Sequence, residues 1–284
     1  MPMFSYPIDV EGTTTRVLQS GHKGDAIILL HGTGARADRW ASNIDALAGE
    51  TRRVFAFDLP GHGFADKSAD FPHSVRGYAD FLGAFMRAEG LESATLVGTS
   101  LGGHVAGDFA ARYPDKVDAL VLVGAMGLVP IGEEARLRIQ KGATSLSREA
   151  VAQKFTRVIL DQTLVTASLV EEEYRINNSA GSAACFDKLG AYIAERLDDD
   201  IVGAAVGRLP EDIPVLLVWG REDKTVPLTV GERAQALIPR APLAILDGAA
   251  HTSYLERPEA FNALMADFLA GRIGARTIEG LTIV

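Results

Sequence analysis

The chain is 284 residues long, with 47% hydrophobic and 23% charged residues, which is enough apolar material for one large buried core. A net charge of −9 argues against nucleic-acid binding, which needs a basic face. Cys185 is the only cysteine, so an intrachain disulfide is excluded and a reducing, cytoplasmic setting is expected.

The opening MPMFSYPIDVEG lacks a basic n-region and an apolar h-region, so no secretory signal is expected. FSYPIDVEGTTTRVLQSG reads as an antiparallel hairpin at a sheet edge. Short Val/Ile/Leu runs without alternation follow, the pattern of strands buried on both faces. They are AIILL (Ala26–Leu30), VFAFDL (Val54–Leu59), ATLVG (Ala94–Gly98), ALVLVG (Ala119–Gly124), PVLLVWG (Pro214–Gly220) and LAILDG (Leu243–Gly248). Amphipathic helices are expected over RWASNIDALAGE, VRGYADFLGAFMRAEG, HVAGDFAARYP and PEAFNALMADFLAGR. Strands alternating with helices predict an α/β fold with a mostly parallel, doubly wound sheet.

The rhythm breaks over 131–208. That segment holds helix formers such as EEARLRIQKG, SREAVAQKFTRVIL and SLVEEEYRINN, and no strand-like run. It reads as a helical lid inserted into a core made of 1–130 and 209–284. The longest apolar stretch, ALVLVGAMGLVPI, is too short to span a bilayer, so no membrane partner is expected. The final ARTIEGLTIV reads as a tail or an oligomer contact.

Gly98-Thr99-Ser100-Leu101-Gly102 fits the G-x-S-x-G elbow between a strand and a helix. The bland alternative is a serine that merely caps the helix. A serine nucleophile needs a base. Of the six histidines, His22 and His73 read as loop residues, and His31 and His62 as shapers of glycine-rich turns. His104 reads as a helix-packing residue. His251 follows the last apolar run, on a loop at the carboxyl end of a strand, where open α/β sheets bind ligands. Asp223 also lies just beyond a strand end, with Glu222 as its closest rival. The order Ser100, Asp223, His251 is the one an α/β-hydrolase triad requires. The oxyanion would be received by the backbone N–H groups of Leu101, after the elbow serine, and Thr33, on the loop HGTG.

These segments together, HGTG, DLPGHGFADKS, GTSLGG, WGREDKTVP and GAAHTSYLERPEAFN, resemble the α/β-hydrolase superfamily over nearly the whole chain. Within it the chain looks most like the meta-cleavage product hydrolases, which split a C–C bond in ring-opened aromatics. The resemblance implies a serine hydrolase acting on a carboxylate-bearing vinylogous 1,5-diketone, with ester, thioester or enol-lactone hydrolysis as the alternative. A non-catalytic ligand receptor on the same fold is a third reading. The resemblance places a substrate-binding arginine on EEEYRINN, at Arg175; the other reading of Arg175 is a surface arginine paired with Glu171 or Glu172. Thr99 and Thr252 stand where the family usually has Asn and Trp. No cofactor and no metal are expected, because neither metal-ligand spacing nor a GxGxxG after a strand occurs. The expected partner is a small molecule, and the resemblance extends to self-association, since relatives are commonly dimers or higher oligomers.

Overall fold

The computed structural model describes residues 2–284. Nine strands form one sheet in the order β1-β2-β4-β3-β5-β6-β7-β8-β9. They are β1 (Phe4–Val10), β2 (Thr13–Ser20), β3 (Asp25–Leu30), β4 (Arg52–Phe57), β5 (Ala94–Thr99), β6 (Val117–Val123), β7 (Val215–Gly220), β8 (Leu243–Leu246) and β9 (Leu281–Ile283). β1 and β2 form the expected hairpin, β2 runs antiparallel to β4, and β3 to β8 are mutually parallel.

The helices, in chain order, are α1 (Ala41–Ala48), α2 (Val75–Ala88), α3 (Leu101–Arg112), α4 (Glu133–Thr144), α5 (Arg148–Val158) and α6 (Ala167–Asn177). Then come α7 (Ser182–Arg196), α8 (Gly203–Val206), α9 (Leu228–Leu237), α10 (Ser253–Glu256) and α11 (Pro258–Leu269). The two-residue period of a strand explains why the central runs carry no polar alternation. Ile28 and Leu30 of β3 face a core that includes Tyr78 and Phe85 of α2 and Phe109 of α3. Ile27 and Leu29 face the opposite core, with Trp40, Ile44 of α1 and Phe261 of α11. Both faces are covered, so the central strands are mostly apolar on both sides.

Helices α4 to α8 all lie between β6 and β7, and no strand interrupts them. The end of the chain departs from expectation. ARTIEGLTIV does find a partner: β9 pairs antiparallel with β8, Ala244 opposite Ile283 and Leu246 opposite Leu281. β8 otherwise has a neighbour on one side only, so the last residues complete its hydrogen bonding.

Candidate active site

The parallel strands deliver their loops to one end of the sheet. Ser100 follows β5, Asp223 lies three residues beyond β7, His251 five beyond β8, and Gly32 and Thr33 just after β3. Ser100 holds φ 54° and ψ −118°, one of two non-glycine positive φ values in the described chain. Such a conformation costs about 1–3 kcal/mol and needs support from its surroundings. The flanking glycines supply it by leaving room. A Cβ on Gly98 would stand 2.2 Å from Gly102 O, and one on Gly102 would stand 2.5 Å from Leu30 O.

Ser100 occupies the N-cap position of α3 but makes no capping bond. The other Ser and Thr residues at long-helix N-caps behave differently. Ser74, Ser147 and Thr166 each accept a backbone N–H, from Gly77, Ala150 and Leu169. Ser100 instead lines a cavity of about 130 Å³. His251 lines the same cavity, and its Nδ1 lies 2.7 Å from Asp223 Oδ2. Asp223 is itself held by N–H groups of Thr225 and Val226 on Oδ1, at 2.8 and 2.9 Å. With Nδ1–H given to Asp223, Nε2 is the basic nitrogen of His251. No hydrogen bond joins Ser100 Oγ to His251 in this structure; the two side chains share the cavity wall.

Thr33 also lines the cavity, and among the described residues its backbone N–H has no acceptor. Leu101 opens α3, where an N–H has no partner within the helix. The other carboxylates near strand ends are committed elsewhere. Glu222 accepts the Ala249 N–H at 3.1 Å, and Asp58 takes Arg16 and the N–H groups of Ala37 and Phe64. His31 bridges Leu59 N–H and Gly32 O, and His104 donates to Asp200 O. Burial lowers the pKa of both rings, as it does for His62. Among the described residues no group of three or more His, Cys, Asp or Glu side chains is placed to hold a metal ion.

Arg175 is a correction. Its side chain is 76% exposed, pairs with Glu171 at 2.7 Å, and does not line the cavity. The reason is helical phase. Glu173 and Asn177, one turn apart, are buried against the loop after β3. Arg175 lies two residues from each, about 200° around the helix, and so points to solvent. The cations that do line the cavity are Arg39, Arg138, Lys154, Arg157 and Lys224.

Sequence reading missed the network behind Glu173. This buried carboxylate accepts Arg36 at 2.9 Å, Arg39 at 2.7 Å and Lys154 at 3.0 Å. Burial raises its pKa, but the three cations overcome that and bring it down to about 2. Lys154 also donates to Gly34 O at 2.7 Å, tying α5 to the loop that carries Thr33. Thr252, next to His251, gives both its N–H and its hydroxyl to Val158 O at the end of α5. Glu256 accepts N–H groups of Ala250 and Leu160, joining the His251 loop to the same helix end. A run of three glutamates gives no sign of which one turns inward; the only signal was that Asn177 repeats Glu173 at i+4.

A mostly parallel sheet with a serine elbow after β5, an acid after β7 and a histidine after β8 defines the hydrolase version of the doubly wound fold. The family model described as "alpha/beta hydrolase fold" matches residues 25–258. The chain belongs to that family and is a hydrolase. It is 31% identical, over 91% of its length and 92% of the relative's, to a "2-hydroxy-6-oxononadienedioate/2-hydroxy-6-oxononatrienedioate hydrolase" of Paraburkholderia phymatum. A meta-cleavage product hydrolase from Pseudomonas fluorescens IP01 superposes with a TM-score of 0.83 at 28% identity, covering 94% of this chain and 97% of that one. A membrane phospholipase A superposes with a TM-score of 0.81 at 26% identity, covering 96% and 87%. Among the described residues no helix is long and apolar enough to cross a membrane.

Proposed function

We propose that this hydrolase splits a C–C bond in a carboxylate-bearing vinylogous 1,5-diketone of the kind made by meta-cleavage of an aromatic ring. The observation that carries the reading is Ser100, strained and uncapped, on a cavity shared with the Asp223-held His251. Residues 131–208 act as a helical lid over the core formed by 1–130 and 209–284. The likeness to named meta-cleavage product hydrolases supports the substrate class.

The dienol ketonises first, with His251 moving the proton. Ser100 Oγ, or a water deprotonated by His251 Nε2, then adds to the ketone carbon. The N–H groups of Thr33 and Leu101 receive the oxyanion, each worth about 10²–10³ in rate. Asp223 keeps His251 in the right tautomer and stabilises the imidazolium. Collapse reforms the carbonyl and breaks the C–C bond. The carbon leaving group departs as an enol after taking the proton from His251. Where Ser100 is the nucleophile, water then cleaves the acyl-enzyme by the same steps. The substrate carboxylate is held by Arg39 and Lys154 on the cavity wall, in place of Arg175.

A second reading, ester hydrolysis at the same triad, is favoured by the surface position of Arg175, which removes the carboxylate contact implied by the family resemblance. Decay of dienol absorbance and release of p-nitrophenol from simple esters, measured on one preparation, separate the two. The C–C reading expects the dienol to have a kcat/KM at least about tenfold higher. An ester preference of that size would overturn it.

A further inference from the structure

Glu256, the last residue of α10, is half-buried and makes no ion pair among the described residues. Hydrogen-bond donors from two directions fill its oxygens instead. Oε1 accepts the Ala250 N–H at 2.9 Å and lies 3.3 Å from the Thr252 hydroxyl, so it touches the residues on either side of His251. Oε2 accepts the N–H of Leu160 and, at 3.3 Å, that of Asp161, two residues that follow α5. A carboxylate is acceptor-only on both oxygens, whereas an amide in its place would turn an NH2 towards one of the two sets of donors.

The His251 loop has a second tie to α5. Val158 O accepts the Thr252 N–H at 3.1 Å and the Thr252 hydroxyl at 3.0 Å, so Val158 O and Glu256 Oε1 share the one hydroxyl proton. One turn earlier on the same helix, Lys154 Nζ holds Gly34 O, next to Thr33. The end of α5 therefore bears on both the loop that carries Thr33 and the loop that carries His251. Asp223 fixes the His251 ring at Nδ1. Where Nε2 points also depends on where the backbone at 250–252 is held, and that backbone is held from α5.

We propose that Glu256 is a positioning residue for the reaction. It joins the end of α5 to the His251 loop, so that His251 reaches its working place only when that part of the helical segment is docked. This rests on the reading of His251 as the base.

The test follows kcat and KM on the faster of two substrates, a dienol diketone or p-nitrophenyl acetate, so it does not depend on which bond is broken. Glu256→Gln should lower kcat about tenfold or more, since a shift of about 1 Å near the chemistry can cost about 10²-fold, while KM stays within about twofold. Leu160→Pro deletes the N–H on the α5 side and leaves Glu256 in place. Ile159 before it is extended, at φ −122° and ψ 127°, the conformation a following proline favours. This variant should lower kcat by about threefold or more, and the double variant should fall no more than about twofold below Glu256→Gln, because both changes cut one link. Should Leu160→Pro fail to fold, Asp161→Pro, at φ −77°, removes the neighbouring N–H in its place. An unchanged kcat per folded Glu256→Gln molecule, with only the melting temperature lowered, would make Glu256 a stability residue and overturn the proposal. So would a loss that appears in KM alone, or losses that multiply in the double variant. His251→Ala turning over at the wild-type rate would overturn the base assignment and the proposal with it. A slow His251→Ala beside an unimpaired Glu256→Gln would overturn the proposal alone.

Discussion

On the sheet side of the cavity, Ser100 and His251 sit on loops anchored to strands buried on both faces. On the helical side, α5 and α6 share only a small cluster around Val151, Phe155 and Ile159, and charged groups provide much of the attachment. The first side is held by packing that is insensitive to pH and salt. The second depends on one carboxylate shared by three cations. Both are built to place groups around one cavity, but they should fail under different perturbations.

The largest separation between the sides comes from the chemistry. Ser100→Ala should reduce kcat by at least about 10³-fold while circular dichroism and the melting temperature stay near wild type, because the change leaves both cores intact. Near-normal turnover would remove Ser100 from the reaction. Glu173→Gln should act on the helical side instead. It leaves Arg39 and Lys154 without their buried counter-charge, at a cost of about 3–5 kcal/mol to the docking of α5 and α6. Hydrogen exchange should quicken across 148–177 and stay slow in β3 to β8. Uniform loosening of both regions would erase the contrast.

Acid should imitate that variant. Glu173 is ordinarily a carboxyl of pKa 4.5 and is held at about 2, so its stabilisation is full above about 4.5 and is lost as pH falls towards 2. The groups that face it are the cations Arg36, Arg39 and Lys154. Proteolytic nicking confined to α5 and α6 as pH drops through that range is the expected result. Thr252→Val removes the hydroxyl bond to Val158 O and should cost about 1 kcal/mol, read as a shift in melting temperature. Arg175→Ala is the smallest effect: an exposed i,i+4 pair contributes about 0.3–0.5 kcal/mol, and kcat/KM should stay within about twofold. A rise of about tenfold in KM would return Arg175 to the site.

The same contrast separates what could be read from the sequence and what could not. The parallel strands announce themselves because burial on both faces demands unbroken apolar runs. The elbow announces itself because its close backbone approach excludes side chains at Gly98 and Gly102. The Arg36–Glu173 and Arg39–Glu173 contacts join residues 137 and 134 positions apart, and no local period encodes such a pairing. Arg175 was misplaced because a segment resemblance carries residue type without helical phase. β9 was missed because three residues, two half-buried and one exposed, are too few to show alternation.

That short strand has a practical consequence for handling the protein. Val284 exchanges backbone hydrogen bonds with Leu243, and β9 covers the outer edge of β8, whose four side chains are all buried. A preparation clipped by a dozen residues at the carboxyl end would expose that row of N–H and C=O groups, a ready template for pairing between molecules. Loss of solubility on storage would then precede any loss of turnover per folded molecule.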